Sequence, residues 1–242
     1  MKKIKVISLE KSVERRAAFT RNNPNIDYEF FPAVDGSLLP AKEIENDRFF
    51  VKPLPFPSLG AYGAALSHSK IWDLAIQSGT PLTVAEDDAI FRADFFEKHE
   101  QVISELPPDW HFVLWGWNFD SILSIDAMRG ISPSVVVFNQ EQLRNNIEKF
   151  KSDTSPVRAF RLDKCFGIPA YTISAKGAEI FKRSCFPMRN FELFFPLLNK
   201  KIQNTGIDLA MNKIYGSTNS YVSFPPLAVT RNEISISTIQ TR

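Results

Sequence analysis

The chain has 242 residues, 29 Lys+Arg against 27 Asp+Glu for a formal net charge of +2, and 44% hydrophobic with 23% charged residues. That length and balance belong to a globular chain able to bury its own core. They exclude disorder, a fibrous architecture, a miniature fold stapled by disulfides, and nucleic-acid binding driven by bulk charge. The 21 Phe point first to a thick core, and 16 Pro against 10 Gly predict rigid loops. In chain order, residues 4–9 (IKVISL) predict a buried strand. Ser12 is a suitable N-cap for a helix that carries Val13, Arg15, Arg16 and Phe19 and is closed by Asn22, Asn23 and Pro24. Residues 28–31 predict a second strand, so the chain opens as an α/β fold. Val34-Asp35-Gly36 is a turn in which Gly would meet a demand for positive φ, and residues 40–57, with their prolines, predict an extended loop.

Residues 58–79 predict a helix stopped by Gly79 and Pro81. Its first turns carry Gly60, Ala61, Gly63, Ala64 and Ala65, small enough to let another backbone or a ligand come close. Residues 82–85 predict a central parallel strand with Glu86, Asp87 and Asp88 at its carboxyl end. A helix over 93–106, strands over 111–117, 135–138 and 170–173, and a helix from N-cap Ser174 through 181 follow. Residues 207–215 predict a short helix ending at Gly216, and the tail from 221, with Pro225-Pro226, is expected to wrap the surface rather than enter the sheet. With no repeat, linker or low-complexity block, the expectation is a single domain over 1–242.

Cys165 and Cys185 form no C-x-x-C pair and read as buried thiols. Met1-Lys2-Lys3 has the charge of a leader, but the apolar run from Ile4 is interrupted by Lys5 and Ser8 and stops at Glu10. With no apolar stretch near the ~20 residues of a membrane helix, the expected location is cytoplasmic, a peripheral contact with the inner membrane being left open.

The acidic triplet is the sharpest chemical feature. Adjacent carboxylates repel unless a cation or basic groups neutralise them. In strand geometry Glu86 and Asp88 point to one side, where they can share a hard divalent ion such as Mg²⁺ or Mn²⁺. An acidic turn in solvent is the alternative. Its position favours the metal, because open α/β sheets bind ligands outside the carboxyl ends of their strands. Arg15 and Arg16 are placed to offer charge-assisted hydrogen bonds to a diphosphate, with a solvated helix face as the other reading. Asp208, opening its helix after Gly206, is either a cap or a general base.

The segments KVISLEKSVERR, FFPAVDGSLL, GAYGAALSHSKIW, TVAEDDAIF and AYTISAKGAEIF occur in that order. In this they resemble the glycosyltransferase family 25 proteins of lipooligosaccharide biosynthesis, most closely from Lys5 to Ile180. The resemblance implies a Rossmann-like mixed sheet flanked by helices, of GT-A type. It also implies an inverting transferase that moves a hexose, usually galactose from UDP-galactose, to an oligosaccharide or glycolipid hydroxyl with Mn²⁺ or Mg²⁺. On that pattern Ser8, Leu9, Glu10, Arg15 and Arg16 help hold the nucleotide and Asp35 and Gly36 lie near base or ribose. Ser67 and His68 lie close to the donor, Asp88 and Glu86 are the metal ligands, and Asp87 contacts the donor. Residues 1–115 would be the nucleotide-sugar half and 116–242 the acceptor half.

Two departures stand out. Gly60-Ala61-Tyr62-Gly63-Ala64 replaces the family's common Gly-Glu-Ile-Gly-Cys, and Ala85 replaces the usual Leu. All three His lie in the first half, which leaves Asp208 as the late acidic candidate for base or ligand. Trp115, Trp117, Phe166 and Tyr171 are candidates to stack on sugar rings, with core packing the commoner fate, and Lys182, Arg183, Arg189, Lys200 and Lys201 form a local basic cluster. A non-catalytic nucleotide-sugar binder and a metal-dependent phosphodiesterase are the alternatives to a transferase; no nucleic-acid partner is expected.

Overall fold

The computed structural model describes residues 3–44 and 48–232. Met1 and Lys2, part of the predicted 40–57 loop and the end of the predicted tail lie outside the described residues. The first part of the chain runs β1 (Ile4–Ser8), α1 (Val13–Asn22), β2 (Tyr28–Pro32), α2 (Ala41–Ile44), α3 (Leu59–Ser78), β3 (Leu82–Glu86), β4 (Ala89–Phe91) and α4 (Phe95–Glu105). It continues as β5 (Phe112–Gly116), β6 (Ile122–Asp126), β7 (Ser134–Val137), α5 (Gln140–Asn145), α6 (Ile147–Lys151), β8 (Arg158–Cys165), β9 (Ala170–Ile173) and α7 (Ala175–Cys185). The last described elements are β10 (Glu192–Phe195), β11 (Lys200–Gln203), α8 (Ile207–Met211), β12 (Ser220–Phe224) and β13 (Ala228–Thr230).

Nine strands form one mixed sheet in the order β2-β1-β3-β9-β5-β12-β8-β6-β7. β1 runs parallel to β2 and β3, and β12 parallel to β5, while β9 is antiparallel to both β3 and β5. The apolar runs of β3 and β5 follow from cover on both faces. On one face α3 and α7 bring Trp72 and Phe181 onto Phe112 and Tyr171. On the other, Phe19 of α1 and Phe95 of α4 pack with Val113 and Trp115. The Phe excess is therefore largely core, with Phe112 stacked 5.1 Å from both Tyr171 and Phe181.

The tail corrects the sequence reading. Ser220–Phe224 is not a surface strap but β12, an interior strand between β5 and β8. Pro225 and Pro226 follow its last paired residue, so they end the strand without costing it a ladder hydrogen bond. β8 was also hidden, because RAFRLDKC places charged residues within a strand that the sheet still pairs on both sides. The predicted 207–215 helix stops at Met211 and resumes only as a 3-10 turn at Tyr215–Ser217.

Gly36 is likewise not needed for positive φ; the glycines with positive φ among the described residues are Gly79, Gly130 and Gly167. It is needed for space, since a Cβ there would lie 1.7 Å from the carbonyl oxygen of Leu59. A Cβ on Gly63 would lie 2.4 Å from the carbonyl oxygen of Val34. The small residues opening α3 thus let the 33–37 loop lie against the helix, a close backbone approach of the kind their sizes predicted.

Candidate active site

The site grows from the register of two adjacent strands. Ile7 of β1 pairs with Glu86 of β3, so the loop after β1 and the acidic turn after β3 emerge side by side at the carboxyl edge of the sheet. Strand geometry ends at Glu86, and Asp87-Asp88 form the turn into β4. Asp87 is consumed in holding the two loops together. Its Oδ2 accepts a hydrogen bond from Ser8 Oγ at 2.8 Å, and its Oδ1 accepts from Arg15 Nε at 2.8 Å and from Arg15 Nη2. Arg16 braces the same loop from behind, donating through Nη2 to the Ser8 carbonyl at 3.0 Å with its guanidinium 4.7 Å from the Phe30 ring.

Asp88 is placed differently. Its Oδ2 lies 3.8 Å from Arg15 Nη2, and its Oδ1 is buried with no hydrogen-bond partner among the described residues. Burial, then repulsion by Glu86, pushes this carboxyl up to about 7, against the pull of Arg15. Glu86 Oε1 lies 3.6 Å from His68 Nε2, and the other ring nitrogen of His68 is 2.8 Å from the Tyr171 hydroxyl. His68 is therefore oriented by the core and faces the triplet.

Two adjoining cavities, of about 300 and 340 Å³, share Arg15, Ala64 and Glu86 as their common wall. The first lies between the β1 loop, the 33–37 loop and α3. Ser8, Leu9, Asp35, Gly36, Ser67, His68 and Asp87 all line it. Ser67 fixes its wall by accepting the Val34 N–H at 2.8 Å while donating to the Gly63 carbonyl at 2.7 Å. Lys11 pairs with Asp35 across the edge, and that pair, with hydrogen bonds from Ser37, holds the Asp35 carboxyl below the usual range. Glu10 and Arg16 line neither cavity: Glu10 is in an exposed turn, and Arg16 acts on Ser8.

The second cavity contains Asp88, Asp208, Asn118, Asp120, Phe166 and Asn232. Asp208 Oδ2 accepts the Gly167 N–H at 3.1 Å and Oδ1 its neighbour Leu209 N–H at 2.9 Å, while burial raises its carboxyl. Gly167 makes this approach with φ +74, and a Cβ there would fall 2.2 Å from Asn118 Oδ1. Asn232 Nδ2 donates to Asp120 Oδ2 at 2.6 Å, and Arg144 anchors the same segment through the Asn232 carbonyl at 2.7 Å.

Of the aromatic candidates, Trp115, Trp117 and Tyr171 are fully buried in the core, whereas Phe166 lines the second cavity. Lys11, Asn118, Asp120 and Asn232 escaped the sequence reading. The first three follow the carboxyl ends of β1 and β5, where the ligand rule for open α/β sheets would have directed attention. Asn232 carries no local signal. No group of three or more His, Cys, Asp and Glu side chains arranged to hold a metal occurs among the described residues. No described helix is long and apolar enough to cross a membrane.

Residues 1–190 match the family model for glycosyltransferase family 25 (LPS biosynthesis protein). A putative glycosyltransferase, R655, of Acanthamoeba polyphaga mimivirus is 34% identical over 119 residues, covering 47% of this chain and 37% of that protein. A glycosyltransferase 25 family member of Aedes aegypti is 30% identical over 191 residues, covering 73% of this chain and 27% of the relative. The chain thus spans well under half the length of these relatives. Among solved structures, A197 from STIV aligns over 92% of this chain and 81% of its own at a TM-score of 0.39 and 13% identity, too remote to support any inference. The matched span reaches from β1 through the acidic turn and α3 to the end of α7, so the walls of the first cavity lie within it, and the chain belongs to glycosyltransferase family 25.

Proposed function

We propose that the protein is an inverting GT-A transferase that binds a nucleoside diphosphate hexose, UDP-galactose being the first candidate, and passes the hexose to a hydroxyl of a surface-glycan acceptor such as a lipooligosaccharide. The observation that carries this reading is the pair of adjoining cavities joined at Arg15, Ala64 and Glu86 at the carboxyl edge of the sheet. A bisubstrate reaction needs two such spaces meeting at the reacting bond. The first cavity takes the nucleotide, and the second takes the acceptor, with Phe166 as a stacking face and Asp120 and Asn118 as hydroxyl partners.

Glu86 and Asp88 fit a divalent ion. The unpartnered buried oxygen of Asp88 and the proximity of two like charges are what a cation would relieve. Mg²⁺ and Mn²⁺ are commonly held by one or two carboxylates with substrate phosphates completing the shell, so the lack of a three-residue cluster is compatible with this use. When bound, such an ion neutralises charge on a departing diphosphate. Arg15, fixed by Asp87, directs its positive charge to the junction of the cavities, where negative charge develops on the leaving group. Asp208 is the candidate base. Its raised proton affinity suits uptake of the acceptor proton as the hydroxyl attacks the face of the sugar opposite the leaving group. Single displacement of this kind inverts the anomeric centre.

The test is a transfer and hydrolysis assay with a panel of UDP-hexoses and added Mn²⁺. UDP release stimulated by Mn²⁺ and lost in Asp88→Asn, with UDP binding and the fold retained, is expected. Binding of UDP with no release under any condition would replace the transferase by a non-catalytic binder.

A further inference from the structure

The predicted basic cluster is divided by the fold. Lys182 is paired with Asp73 and Lys201 with Glu192, so neither offers an uncompensated charge. Arg183 and Arg189 instead meet Lys213, a residue remote in sequence, around a separate cavity of about 270 Å³. No Asp or Glu lines this cavity, and among the described residues none of the three cations makes an ion pair. Its remaining walls include Phe186, Phe191 and Ala210, and Lys213 Nζ lies 4.6 Å from the centre of the Phe191 ring, which holds the ammonium at the cavity. α8 gives Ala210 to this cavity and Ile207, Asp208 and Leu209 to the second cavity of the active site, so the short helix is a wall of both.

Three cationic residues lining one concave, partly apolar surface with no internal counter-charge are suited to an anionic ligand of about one to two negative charges. Two guanidinium forks match tetrahedral phosphate oxygens better than they match a single carboxylate. We propose that this cavity is a phosphate site, distinct from the donor cavity, which takes a phosphate monoester or diester. The group would be carried either by a soluble molecule or by a lipid headgroup. Because the cations are exposed, binding is expected to weaken steeply as salt is raised.

The full chain labelled with ¹⁵N, titrated with inorganic phosphate, tests this directly. Saturable amide shifts are expected at Ser184, Phe191 and Lys213. In the triple variant Arg183→Gln, Arg189→Gln, Lys213→Gln, affinity should fall at least about tenfold, with UDP binding unchanged. Arg189→Gln alone, at an exposed position, gives a second reading if the triple variant is poorly folded. A parallel arm measures sedimentation with phosphatidylcholine vesicles, with and without phosphatidylglycerol. Saturation by inorganic phosphate identifies a soluble source. Retention only on phosphatidylglycerol vesicles, lost in the variant, identifies a lipid one. Absence of both, or identical behaviour of wild type and variants, overturns the proposal.

Discussion

Gly63→Ala tests whether the close approach between α3 and the 33–37 loop builds the donor cavity. The added methyl would sit 2.4 Å from the Val34 carbonyl oxygen, 2.7 Å from the Gly36 nitrogen and 3.1 Å from the Gly36 Cα. All are backbone atoms, so no side chain can rotate away, and the loop must move by about 1 Å to restore normal contact. Overpacking of this kind costs about 1–3 kcal/mol, and the better helix propensity of Ala returns about 1 kcal/mol, leaving a net loss of about 0–2 kcal/mol. The same movement stretches the hydrogen bond from Val34 N to Ser67 Oγ, now 2.8 Å, and carries Asp35 with it. If the loop positions the donor, a displacement of about 1 Å costs on the order of 10²-fold in turnover. Urea unfolding monitored by Trp fluorescence measures the first quantity, and UDP calorimetry with steady-state transfer the second. A variant as stable as wild type with unchanged UDP affinity would refute the reasoning, because the loop would then be free to yield without consequence.

Asp87→Asn should destabilise by about 2–3 kcal/mol, below the full cost of breaking a buried pair because Arg15 keeps 22% of its side-chain surface exposed against 8% for Asp87. A denaturation midpoint equal to wild type would show that Asp87 does not clamp the loops. Asp208→Asn should lower kcat by about 10²-fold with little change in donor KM, and an effect confined to KM would assign it to binding instead. Buried His99 takes its proton only near pH 4 in the folded chain but near its ordinary 6.5 when unfolded. Falling pH therefore protonates the unfolded chain first, and stability declines between pH 6.5 and 4 by up to about 3 kcal/mol. His99→Gln should flatten that decline in urea titrations at successive pH values; parallel slopes for the two proteins would contradict the assignment.

The local alphabet of the chain determined a good deal. Short β-branched runs before Ser8 and Glu86 specified the strands that open the site. Small residues at Gly60, Gly63 and Ala64 signalled a close approach, and the ordered motifs pointed to the family. These features depend on neighbours within a few residues, so they can be read along the chain. What only the tertiary structure decided is how adjacent, chemically similar residues divide their roles. Asp87 spends its carboxylate on Ser8 and Arg15, whereas Asp88 keeps a buried oxygen without a partner, because one residue of turn geometry directs them to different cavities. Lys182 is neutralised by Asp73, while its neighbour Arg183 joins Lys213. β12 enters the centre of the sheet because its partners β5 and β8 are supplied from distant parts of the chain, and no local pattern records such a partner. Partition of charge and strand placement are set by contacts between segments far apart in sequence, and these exist only once the chain has folded.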